Sequence, residues 1–155
     1  MKQAPKLECS CSCKKTSISV EGAPVIRFLC HCKICQAVYQ KPYADIIALK
    51  SSQVTQPVDS GITFSKHRLP PAVKRGVCSA CSNPVVGFLP LMPFFGLAFI
   101  PTMNFPKHFS LPEPKFHTFY DRRVADVEDA LPKYSGYWTS QCVLTSGFFS
   151  GLLFS

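Results

Sequence analysis

Seven of the chain's nine cysteines fall into three tight clusters, and no other feature so narrows what the chain can become. The clusters are Cys11-Ser12-Cys13, Cys30-His31-Cys32-Lys33-Ile34-Cys35 and Cys78-Ser79-Ala80-Cys81. Cysteines this close rarely bridge each other, whereas their thiolates can converge on one soft cation. Two pairs and one triplet divide into one site of four thiolates and one of three. A four-thiolate zinc is closed and structural, while a three-ligand zinc keeps a position for water or substrate. The pattern predicts two zinc ions per chain. Cys11, Cys13, Cys78 and Cys81 would hold the structural ion, and Cys30, Cys32 and Cys35 the reactive one. Cys9 and Cys142 lie outside the pattern as spare thiols, with Cys9 able to stand in for one member of the first pair.

At 155 residues the chain fits one domain with a modest core. Its first residues carry no apolar run, so no secretory signal is expected, and the clustered thiols belong in a reducing cytoplasm. The formal charge of +8 falls to about +5 once seven thiolates and two zinc ions are counted. That excess suits an anionic small molecule. Basic residues are scattered, aromatic and basic side chains do not interleave, and Trp138 is the single tryptophan. Nucleic acid is therefore not an expected partner.

Short apolar or alternating runs at 17–20, 25–29, 44–49 and 61–64 read as strands between turns. The stretch 84–101 is apolar but broken by Pro84, Gly87, Pro90, Pro93, Gly96 and Pro101. Two buried strands around a proline-rich turn are expected there, not a membrane span. Residues 123–131, stopped by Pro132, are the expected short helix, and no long segment keeps helical periodicity. The apolar tail 143–155 is too short to cross a bilayer and should pack on the domain or on a second subunit. The sum is one β-rich domain.

On a strand, residues two apart share a face, which would aim Cys11 and Cys13 at one metal. Cys78 and Cys81 would converge from a tight turn, stapling segments 65 residues apart. In the triplet, Cys30 and Cys32 would share a strand face and Cys35 reach back from the next turn. His31 alternates away from the metal and reads as a packing or hydrogen-bonding residue. A substrate thiol at the open position would be deprotonated, a nucleophile towards an aldehyde carbon and a good leaving group in reverse. Lys33, Arg68, Lys74 and Arg75 are candidates to hold a substrate carboxylate, and His67 to carry a proton. His108 and His117 receive no role. The competing reading is a non-enzymatic zinc module that binds protein or nucleic acid.

These motifs carry a family resemblance. Cys11-x-Cys13, Cys30-His31-Cys32-x-x-Cys35 and Val77-Cys78-Ser79-Ala80-Cys81-Ser82-Asn83-Pro84 resemble the glutathione-dependent formaldehyde-activating enzymes, also called the centromere-protein-V/formaldehyde-activating domain. So do Phe95-Gly96-Leu97-Ala98-Phe99-Ile100 and Leu131-Pro132-Lys133-Tyr134-Ser135-Gly136. The resemblance covers residues 8–138, leaving 139–155 as the tail. It implies a mainly β, zinc-stabilised domain of packed antiparallel sheets with few short helices. It also implies carbon–sulfur lyase activity, the reversible addition of glutathione to formaldehyde, with the ligand sets above. Lys14 and Ser82 stand where the family usually has glycine, and Gln36-Ala37 where a basic pair is common. A thiol other than glutathione is thus also a candidate substrate.

Overall fold

Residues 44–49 and 95–100 are apolar at nearly every position, which in a strand means burial on both faces. The computed structural model, which describes residues 6–69, 72–93 and 95–154, gives the reason. A small sheet has the order β1 (Lys6–Ser10), β2 (Ser17–Glu21), β5 (Val54–Thr55). The large sheet begins with β10 (His117–Thr118), β3 (Ile26–Cys30), β4 (Ala44–Lys50) and β9 (Phe95–Pro101). It continues through β8 (Pro84–Met92) and β7 (Lys74–Cys78) to β6 (Ile62–Lys66). Its neighbours pair antiparallel except β10 with β3, which are parallel.

On one face of β4 and β9, Ile47, Leu49, Ala98 and Ile100 meet Cys9, Ile18 and Val20 of the small sheet. On the other face, Ile46, Ala48, Leu97 and Phe99 meet Leu144, Phe148 and Leu152 of a helix, α2 (Tyr137–Phe154). The molecule is thus three layers deep, and mainly β as expected. Ile47, Leu49, Leu97 and Ile100 are fully buried at its centre, each contributing roughly 1.5–3 kcal/mol through apolar burial. The strands expected within 84–101 are the paired β8 and β9.

Two helical features differ from the sequence expectations. The helix expected at 123–131 does not form. Side chains capture the backbone groups it would need: Val127 N–H donates to Tyr120 Oη at 2.8 Å, and Leu131 N–H to Asp129 Oδ1 at 3.2 Å. Instead α2 is an 18-residue helix where only an apolar tail was legible. Its inner face packs half-buried Leu144 and Phe148 on the sheet, but Trp138, Phe149, Leu153 and Phe154 are exposed. Apolar residues on every side erase the periodicity that marks an amphipathic helix. Among the described residues no helix is long and apolar enough to cross a membrane.

Candidate metal centres

Cys11 and Cys13 do not share a strand face, because β1 ends at Ser10 and both lie in the turn to β2. The Lys14 N–H closes that turn on Cys11 O at 2.9 Å. Cys78 ends β7, and the Ser82 N–H returns to Cys78 O at 2.8 Å, folding Cys81 back beside it. The two turns face each other. Cys11 Sγ lies 3.3 Å from Cys13 Sγ, which lies 3.7 Å from Cys78 Sγ, and all four sulfurs fall within 4.8 Å of one another. All nine cysteines are free of disulfides.

Donors aimed at this group lower two of its four thiols. Burial alone would raise the Cys78 thiol, but the Thr16 hydroxyl, donating at 3.1 Å, and the N–H groups of Cys81 and Ala80 bring it down to about 6. Cys81 is likewise lowered, foremost by the Asn83 N–H. Four convergent sulfurs with donors already aimed at them fit a thiophilic divalent cation such as zinc. Cys9 stays outside the cluster: it is fully buried in the core, and burial pushes its thiol up to about 12. Cys142 is exposed on α2.

The triplet is built at a strand–helix junction. Cys30 ends β3, Cys32 caps the short helix α1 (Lys33–Tyr39), and Cys35 lies in its first turn, where its N–H donates to Cys32 Sγ at 3.4 Å. Cys32 therefore sits past the strand and not on its face. The three sulfurs again fall within 4.8 Å of one another. Hydrogen bonds from the Cys30 and Cys35 side chains lower the Cys32 thiol, and the Arg75 charge adds to this. The same contacts with Cys32 and Cys35, together with burial, hold Cys30 well up.

Cys30, Cys32 and Cys35 all line a cavity of about 810 Å³, and none of the four-cysteine group does. The open side of the triplet thus faces a cavity that reaches the surface, while in the other group it is Cys13 that is exposed. Lys33, Arg68, Arg75 and Arg122 line the cavity, and no described acidic residue does. Lys74, a candidate from the sequence, instead lies over the Phe64 ring at 5.1 Å. His67 is exposed, bonded to Ser65 Oγ at 3.2 Å, and is not brought to the cavity.

His31 is turned away from the sulfurs and tied at three points. Its N–H donates to Thr118 O at 3.0 Å, its carbonyl accepts from Gln36 Nε2 at 2.6 Å, and its Nε2 lies 2.8 Å from His117 Nδ1. His117 Nε2 in turn meets Asp129 Oδ2 at 2.8 Å. Lys133 first, then His117, holds the Asp129 carboxyl down to about 2, so it is an acceptor and fixes a proton on His117 Nε2. Burial, then His117, holds His31 down to about 4. This chain, in which both histidines are fully buried, locks the residue between Cys30 and Cys32. His117 carried no role in the sequence reading. The one signal was the bulky run Phe116-His117-Thr118-Phe119-Tyr120, which marks a short buried strand. Gln36, standing at the family's basic pair, is a tie: its Nε2 also donates to Arg122 O at 2.7 Å.

A search of curated proteins finds no match to the chain. A family model described as glutathione-dependent formaldehyde-activating enzyme matches residues 6–122, a span holding both cysteine groups and β1 to β10. With that match over most of its length, the chain belongs to the glutathione-dependent formaldehyde-activating enzyme family.

Proposed function

We propose that this chain is a zinc-dependent carbon–sulfur lyase that forms and breaks thiol adducts of an aldehyde in the cytoplasm. Cys30, Cys32 and Cys35 hold the reactive zinc, and Cys11, Cys13, Cys78 and Cys81 a structural one. The observation that carries this reading is the asymmetry of the two groups: among the described residues the three-cysteine set lines the 810 Å³ cavity and the four-cysteine set does not. Zinc held by three thiolates favours a fourth ligand in its thiolate form, the form needed both to attack a carbonyl carbon and to depart from it.

The chain's own residues set the stage for that chemistry. Arg75 places a positive charge beside Cys32 and Cys35, offsetting the excess negative charge of three thiolates. Lys33, Arg68 and Arg122 add positive potential that draws a carboxylate-bearing thiol such as glutathione to the cavity. Apolar walls on the inner side of the cavity lower the polarity around the adduct. The His31–His117–Asp129 chain and Gln36 hold the cysteine-bearing junction rigid. In the synthetic direction a carbon–sulfur bond forms and the thiol proton ends on the carbonyl oxygen; the lyase direction reverses both.

The test is cobalt substitution followed by thiol titration. Glutathione should alter the thiolate-to-metal charge-transfer band of one of two bound cobalt ions. A spectrum unchanged at millimolar glutathione, cysteine and a neutral thiol would show the three-cysteine site closed and remove the lyase reading.

A further inference from the structure

The cavity of about 810 Å³ must take the thiol as well as the aldehyde, so the chemistry of its lining, and not its volume, bears on which aldehyde it takes. Its walls divide by chemistry. The interior is built from Phe28, Ile46, Leu97 and Phe99 of the sheet, all buried, with Leu144 and Phe148 of α2 facing them. Towards solvent stand the exposed cations Lys33, Arg68 and Arg122, with half-buried Arg75 nearer the sulfurs. Exposed Leu91, Met92 and Phe149 also line the cavity, so apolar surface runs from the interior to the solvent edge. The three sulfurs open onto the same space. Such a site matches an amphipathic ligand with an anionic end and an apolar end.

The position of these walls in the chain strengthens the argument. The family match stops at residue 122, yet Leu144, Phe148 and Leu152 lie beyond it on α2. The helix that closes the apolar side is built from sequence outside the matched segment. It seats against the start of β3 and the residue before it through Gly147 and Gly151, where a side chain would strike Ile26 and Val25. Part of the substrate wall is therefore supplied by a region that the shared family sequence does not dictate.

We propose that the cavity holds the apolar substituent of an anionic thiol adduct, so that the aldehyde handled here is a hydrophobic one of several carbons and not formaldehyde. This rests on the lyase reading of the three-cysteine site. The reaction is balanced without a co-reactant. The carbon–sulfur bond of R–CH(OH)–S–R′ breaks with its electron pair going to sulfur. The hydroxyl proton ends on sulfur, and the products are the aldehyde R–CHO and the thiol R′–SH.

The test uses the zinc-loaded full chain and S-alkyl glutathiones as stable stand-ins for the adduct. Calorimetric titration with the S-methyl, S-butyl, S-hexyl and S-octyl compounds should show affinity rising about fourfold per added methylene until the cavity is filled. Leu144→Trp, which fills the apolar end, should flatten that series. The wild-type series decides the matter if this variant does not fold. Equal affinity across the series, with glutathione still perturbing the cobalt spectrum, would overturn the hydrophobic substrate and leave the lyase reading standing. No binding by any compound and an unchanged spectrum would overturn both.

Discussion

Lys14 and Ser82 share an unusual backbone state, with φ of 60° and 61°, and each directly follows the second cysteine of a pair. An L-residue in this left-handed region is disfavoured by about 1–2 kcal/mol, because Cβ crowds the carbonyl oxygen. The position is forced by the N–H groups that fold back onto Cys11 and Cys78. This explains why glycine suits both positions in the related pattern. Lys14→Gly and Ser82→Gly should each stabilise the chain by about 1 kcal/mol in denaturant melts. At Asp129 the sign follows from its lowered carboxyl. Its folded value of about 2 lies below the usual ~3.9, so its contribution is complete above pH ~4 and is lost as pH falls through about 2. Asp129→Asn should lower Tm by a constant amount above pH ~4, and the gap to the parent chain should close on acidification. The cysteines were legible because their spacing is local chemistry. His117 was not, because its meaning depends on His31, 86 residues away.

Elements were legible where burial imposed a period. The double-sided strands β4 and β9 announced themselves as unbroken apolar runs, and the proline breaks within 84–101 marked a hairpin and not a span. The short helix α1 escaped notice because its cap is a cysteine, Cys32, and its ending is the left-handed Gln40, neither a usual helix signal. In α2 two glycines are contact points. A Cβ on Gly147 would lie 2.7 Å from Ile26 Cδ1, and one on Gly151 would strike the Val25 carbonyl. Gly151→Val should therefore push α2 off β3 and destabilise the chain by about 1–3 kcal/mol. Urea titration followed by tyrosine and tryptophan fluorescence would measure it. An unchanged midpoint would mean that the helix is not seated there.

At the scale of the molecule, the four-cysteine group joins the two sheets, because Cys11 and Cys13 follow β1 while Cys78 ends β7. The three-cysteine group joins residues already neighbours along the chain. On the proposed ligand sets, Cys81→Ser should release the small sheet and cost on the order of 5 kcal/mol, or about 10–20 °C in Tm. Cys32→Ser should stay within about 5 °C of the parent, yet abolish the thiol response of the metal. Circular dichroism melts with hydrogen exchange in β1 and β2 would separate these outcomes. Equal losses would make both centres architectural. The three-layer packing itself was beyond the sequence, since a period of two says which residues are buried but not what covers them. The spacing of the cysteines also carries an order in time. During synthesis the triplet is complete once Cys35 has left the ribosome, whereas the staple must wait for Cys81. At roughly 5–20 residues per second that interval lasts about 2–9 s. The nascent chain thus offers its reactive thiols to the cell's metal supply, and to its oxidants, before the scaffold that shelters them exists.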